Sequence, residues 1–178
     1  MPKLESLNNA LEKAVIISGN MLESRQSRGD FPKPGAPVLP YLDISGTIRL
    51  FECQWLHIRL NTLLPHCRFQ TPAYISDTIT RLLDRFAEQE DGLPYYGKAM
   101  LIIDEHCDLK SRNVFDQDNK GFKAIPNALK GRVFQDDDQF TLGIALVSTL
   151  DDTPACDIYV IPAEDAADFF ALRAEGYL

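Results

Sequence analysis

Hydrophobic positions recur with two different periods along this chain, and the changes of period predict its elements. Near the N-terminus, apolar residues at three- and four-residue spacing predict an amphipathic helix over about residues 3–25. Residues 46–60 are instead rich in β-branched and aromatic side chains, and they predict one or two strands, of which 54–60 is the stronger. The stretch between them, 27–40, holds four prolines and two glycines and is typical of a linker.

The rest of the chain alternates between helical and strand patterns. It predicts, in order, a helix from Thr71 to about residue 88, a strand over 98–106, a short helical segment over 119–132, strands over 140–150 and 156–163, and a helix over Glu164–Ala174. The last two strands are expected to form a hairpin around the turn residues 151–155. Because Pro126 interrupts a continuous helix, the short helix has an alternative start near Pro126, with 119–125 as a turn.

These elements predict an α+β protein with a single mixed β-sheet and helices packed on one face. The predicted domain covers 46–178, and the amphipathic helix and linker over 1–45 precede it. At 178 residues with 45% apolar content, the chain is long enough for one core. It lacks a secretory signal and an apolar run of membrane-spanning length, so we expect a cytoplasmic protein.

The net charge of −8 is unevenly distributed along the chain. Residues 1–132 carry 17 basic and 16 acidic side chains, whereas 133–178 carry 1 basic and 10 acidic ones. The overall sign argues against non-specific nucleic-acid binding, which depends on phosphate neutralisation. Residues 98–132 are locally basic, with 7 basic against 5 acidic side chains, and this weakens the objection.

The segment DQDNKGFKAIPNALKGRVFQDDDQ, residues 116–139, has carboxylates at both ends and cations between them. Asp116 and Asp118 point to the same side of an extended chain, where they repel each other unless a cation lies between them. Magnesium prefers such carboxylates together with waters and phosphate oxygens, and an acid from 136–138 would complete the site. Lys123 would then stabilise developing negative charge during phosphodiester hydrolysis. The alternative is a solvated surface turn.

Two other metal sites are weaker interpretations. An EF-hand loop starting at Asp116 would place Lys120 where an oxygen ligand is required and Asn127 where a bidentate glutamate is required. The dipeptides His66-Cys67 and His106-Cys107 offer four zinc ligands but lack the usual spacer between ligands.

The same segment resembles the metal-binding core of the RusA-type Holliday-junction resolvases, a family of small endodeoxyribonucleases. The matching elements are DQDN at 116–119, KAIPNAL at 123–129 and DDDQ at 136–139. A strand pattern before the first aspartate and two more after the last acids also match. The resemblance is strong over these 24 residues and loose over about 54–162.

The resemblance implies a magnesium-dependent endonuclease of DNA recombination and repair that cuts four-way junctions as a homodimer. Asp116, Asp118 and Asp137 would bind Mg²⁺, and Lys123 would be the catalytic lysine. From charge and proximity, five residues are candidate DNA contacts: Lys110, Arg112, Lys120, Lys130 and Arg132. The alternative is a catalytically weak RusA-like scaffold that binds a protein partner through its N-terminal helix and acidic tail.

Overall fold

The computed structural model describes residues 45–65, 73–90, 92–107 and 120–178. Five strands and three helices follow one another in this part of the chain. They are β1 (Gly46–Leu50), β2 (Leu56–Leu60), α1 (Ala73–Gln89), β3 (Ala99–Cys107), α2 (Ala124–Leu129), β4 (Leu142–Leu150), β5 (Ala155–Pro162) and α3 (Ala166–Ala174). The predicted N-terminal helix and its linker lie outside the described residues.

All five strands belong to one mixed sheet with the order β1-β2-β5-β3-β4. Only the β3–β4 pair is parallel, and the other three pairs are antiparallel. The predicted α+β class with a single mixed sheet is therefore confirmed. None of the described helices is long and apolar enough to cross a membrane.

The predicted hairpin of the last two strands is wrong, because β3 lies between β4 and β5. β5 is buried along almost its whole length, whereas β4 has exposed positions throughout. A continuous apolar run such as β5 is stabilised most in the interior of a sheet, where both of its faces are covered. The short connection over 151–154 therefore crosses the end of β3 rather than turning directly into a paired strand.

One face of the sheet carries the main core. Alternate residues of β2, β3 and β5, among them Ile58, Leu101 and Ile158, pack there against α1 and α2. Gly46 permits a close approach at this face, since a Cβ atom on it would lie 2.7 Å from the carbonyl oxygen of Arg59. The alternation of apolar residues along the strands thus fixes which face the two helices cover.

The opposite face carries a second, smaller cluster, and this differs from the expectation that all helices share one face. Phe169 of α3 is buried against Trp55, Tyr159 and Ile102 at one end of the sheet. Trp55 Nε1 also donates to Asp165 Oδ2 at 2.8 Å, next to the start of α3. Because α3 is short, polar side chains occupy the other end of the same face.

Helix α2 is shorter than predicted and resembles the alternative in which a turn precedes Pro126. It starts at Ala124, so Pro126 lies in its first turn. The N–H groups of a first turn have no partner within the helix, and proline therefore costs no hydrogen bond there. Lys123 is the residue that immediately precedes this helix, and it is exposed to solvent.

Candidate functional site

The segment singled out in the sequence connects β3 to β4, two adjacent parallel strands. The structure describes it only from Lys120 onwards. Asp116 and Asp118, two of the predicted metal ligands, lie outside the described residues, as do the candidate DNA contacts Lys110 and Arg112. Within the described residues, no group of three or more His, Cys, Asp or Glu side chains is placed to hold a metal ion.

Asp137, the third predicted metal ligand, takes part in an exposed ion-pair cluster. Lys130 Nζ lies 2.9 Å from Asp137 Oδ1 and 2.6 Å from Asp136 Oδ1, so two carboxylates converge on one cation. Hydrogen bonds to Asp136 and Asp137 raise the pKa of Lys130 above its ordinary range. The same contact with Lys130 lowers the pKa of Asp136. At neutral pH Lys130 and Asp136 are therefore both charged.

The acidic turn is closed by its last carboxylate. Asp138 accepts hydrogen bonds from the backbone N–H groups of Phe140 and Thr141 and from the Thr141 hydroxyl. The bond from Phe140 is the largest of the effects that lower the pKa of Asp138. Asp136 and Asp137 therefore contact Lys130, whereas Asp138 stabilises the turn before β4.

Lys120 differs from the solvent-facing position expected of a DNA contact. It is buried, and its ammonium group lies 3.1 Å from Glu105 Oε2. Glu105 also accepts a hydrogen bond from the backbone N–H of Leu64 at 2.8 Å. Arg132 is engaged too, since its Nη2 lies 2.6 Å from Asp84 Oδ1 on α1. Lys123, in contrast to Lys120, is exposed.

The two ends of the predicted segment lie near opposite ends of β3. Ala99 N at the start of β3 donates to Thr141 O, which places the acidic turn near that end of the strand. Lys120 contacts Glu105 near the end of β3. At about 3.3 Å per residue, the two anchor points on β3 are roughly 20 Å apart.

The polar end of the second sheet face holds a cluster that the sequence did not reveal. Asp157 of β5 is only 3% exposed, and three cationic or ionisable groups surround it. Its oxygens lie 2.7 Å from His57 Nε2, 2.5 Å from Arg59 Nη1 and 2.8 Å from His106 Nε2. Burial acts to raise the pKa of Asp157, but the hydrogen bond from His57 and the electrostatic interactions with His57, Arg59 and His106 outweigh it and lower the pKa.

Each ring nitrogen of the two histidines already has a partner. Arg49 Nε donates to His57 Nδ1 at 2.9 Å, so His57 carries its proton on Nε2 and donates it to Asp157. His106 Nδ1 lies 3.1 Å from Asp151 Oδ2, and its Nε2 faces Asp157. All four ring nitrogens of His57 and His106 are thus engaged by side chains within the network.

A second buried carboxylate extends the cluster towards α3. Asp104 lies directly opposite Asp157 in the β3–β5 register. Its charge is balanced by Arg173 of α3, whose Nε donates to Asp104 Oδ2 at 2.9 Å, and by the hydroxyl of Thr149. The two neighbouring aspartates are tolerated because each has its own cation.

One sequence signal was available for this cluster. Every second residue of β2, β3 and β5 faces the same side of the sheet. On one side of these otherwise apolar strands, the polar residues are His57, Arg59, Asp104, His106 and Asp157. The structure buries His57 in this network, where it contacts Asp157. The zinc interpretation involved His106, whose nitrogens instead face Asp151 and Asp157; the other dipeptide, His66-Cys67, lies outside the described residues.

The described residues thus form an α+β domain with one mixed sheet. Its two polar regions are the acidic turn around Lys130 and the network around Asp157. The chain matches a family model described as "Family of unknown function (DUF6100)" over residues 43–175. Since this match covers most of the chain, the protein belongs to that family. No curated protein matches the chain.

Proposed function

We propose that the protein is a cytoplasmic, magnesium-dependent endonuclease that cuts four-way DNA junctions as a homodimer. The observation that carries the proposal is the order of its acids and lysine over 116–139. This order resembles the metal-binding core of the RusA-type resolvases, and the segment connects two adjacent strands. Because the junction has two-fold symmetry, a homodimer would cut it at two symmetric positions.

Each role in this proposal is assigned to a particular side chain of the segment. Asp116, Asp118 and Asp137 would bind magnesium, since carboxylates are its preferred protein ligands. Bound magnesium would supply a water of lowered pKa for attack on the phosphodiester. Lys123, exposed at the start of α2, stabilises the negative charge that develops on the phosphate.

The exposed cluster at the acidic turn supports the proposal chemically. The Asp136 and Asp137 oxygens converge on a single cation, the Lys130 ammonium group. Carboxylates that share a cation of charge +1 also suit a divalent ion, which gains more from the same oxygens. Lys130 would then be released to contact DNA.

The test is cleavage of a labelled four-way junction by the purified protein with magnesium, next to a linear duplex of the same sequence. We expect paired symmetric nicks in the junction, and their loss in Asp118→Asn and Asp137→Asn. Asp152→Asn is the matched control, because Asp152 is an exposed acid outside the motif. An intact junction under all magnesium concentrations, or cleavage that survives Asp118→Asn, would overturn the proposal.

A second candidate function is a RusA-like scaffold that binds a protein partner without catalysis. It is favoured by the engagement of Asp137 with Lys130 and of Lys120 with Glu105, which leaves fewer cations for DNA. A gel shift with the same junction separates the two candidates. Binding without cleavage would indicate a nuclease scaffold of low activity, whereas no binding would favour the interaction module.

A further inference from the structure

The two edges of the sheet differ in how they are protected against pairing with another chain. β1 has five residues and includes the exposed Arg49, which is typical of a protected edge. β4 has nine residues, LGIALVSTL, with no charged residue and no proline. Among the described residues it pairs only with β3. A long, uncharged edge strand presents unpaired backbone groups that can accept an added strand.

Apolar side chains are also exposed along this edge. Ile144 is 43% exposed and Leu150 is 69% exposed, and Phe140, just before the strand, is 78% exposed. Arg173 reaches the carbonyl oxygen of Ser148 at 3.2 Å, near the C-terminal end of β4. Among the described residues, the open part of the edge is therefore 142–147, where an added strand would meet the exposed side chain of Ile144.

Acidic residues flank this open part at both ends. Asp136, Asp137 and Asp138 precede β4, and Asp151 and Asp152 follow it. If two copies of β4 paired antiparallel about the strand centre, the acids before one strand would meet the acids after the other. Such like-charge contacts destabilise a strand pair, so the flanks oppose pairing between two copies of this chain. The same charges attract a strand with basic ends.

We propose that the outer edge of β4 binds an extended segment of a protein partner, with apolar side chains at alternate positions and basic residues at both ends. The partner strand hydrogen-bonds to the backbone of 142–147, and its apolar side chains cover Ile144. Its lysines or arginines lie next to the two acidic flanks. This inference rests on the backbone edge of β4 and on the charge of its flanks. It shares only Asp137 with the nuclease proposal and requires no bound metal.

The test measures binding of synthetic peptides to the full-length chain by fluorescence anisotropy. The first probe alternates valine and threonine over six residues and has two lysines at each end. The second replaces the lysines by glutamates. The third keeps the lysines but carries N-methyl groups on alternate amides, which remove its backbone donors. We expect the first probe to bind at least tenfold more tightly than the other two, and less tightly as salt increases.

Two variants of the protein locate the binding edge. Ile144→Lys places a charge on the edge and should abolish binding of the first probe. Tyr95→Lys, a matched change at an exposed aromatic residue outside β4, should leave it unchanged. Circular dichroism confirms that both variants fold.

Three results would overturn the inference: equal binding of the lysine and glutamate probes, undiminished binding of the N-methylated probe, or unchanged binding to Ile144→Lys. A concentration-dependent dimer that Ile144→Lys dissociates would also overturn it, because the occupant of the edge would then be a second copy of the chain. Peptide binding and dimer dissociation are both measured without DNA cleavage. A negative result in either measurement therefore leaves the nuclease test unaffected.

Discussion

Two ionic clusters, one exposed and one buried, use carboxylates in opposite ways. In the acidic turn, Lys130 meets Asp136 and Asp137, which are close to it in sequence and open to solvent. On the second sheet face, Asp157 meets His57, Arg59 and His106 from two other strands, and its side chain is 5% exposed. Water screens the first set of charges, whereas the second set depends on its protein partners.

The comparison separates charges that are available for function from charges that hold the fold. The Lys130 cluster can exchange its cation for another ligand at little cost, because water already solvates its groups. The Asp157 network cannot, since removal of one partner leaves a buried charge without compensation. A cluster of titratable groups is therefore a weak indication of catalysis when each group is buried and already paired.

The largest effect is expected from Asp157→Asn. This change leaves Arg59 and the two histidines without the nearly buried carboxylate that they share. We expect the free energy of unfolding to fall by about 3–5 kcal/mol, measured by urea unfolding at pH 7. The prediction treats the network as structural. A decrease no larger than that of an ordinary surface substitution would show that water solvates this face, and the contrast between the two clusters would disappear.

An intermediate effect is expected from pH. The pKa of Asp157 is lowered in the folded protein, and its unfolded value is about 3.9. Below about pH 5 the unfolded state therefore takes up this proton more readily than the folded state, and stability decreases as pH falls through the folded pKa. The contribution is fully present at neutral pH.

The pH effect is measured as the free energy of unfolding between pH 3 and pH 7 in the wild type and in Asp157→Asn. We expect a shallower dependence in the variant, because the group that titrates is gone. Parallel curves would indicate that Asp157 titrates alike in the folded and unfolded chains, contrary to the lowered pKa.

The smallest effect on stability is expected from Lys130→Met. Its two carboxylates are solvated, so we expect no measurable change in the midpoint of thermal unfolding at neutral pH and moderate salt. If the nuclease proposal is correct, the same variant retains its metal ligands but binds junction DNA less tightly, which a gel shift detects. A large loss of thermal stability would place this cluster in the same class as the Asp157 network.

The sequence by itself determined the elements of the described domain. Sequence patterns located β2 to β5 and the three helices, because apolar side chains must face a core at every second or every third to fourth position. They left open whether 46–60 forms one strand or two. Because proline has no backbone N–H and is tolerated in the first turn of a helix, Pro126 indicated a helix start close to it. The order of acids and lysine over 116–139 was also a property of the sequence, and the nuclease proposal depends on it.

Only the tertiary structure decided which strands are neighbours and which charges meet. Sequence proximity favoured a hairpin of β4 and β5, whereas burial of β5 on both faces placed β3 between them. Asp157 lies about a hundred residues from His57, and their contact depends on the pairing of β2 with β5. Local patterns indicate which face of a strand a residue occupies. A contact between distant strands depends on the free energy of the whole sheet, and this cannot be inferred from any single segment.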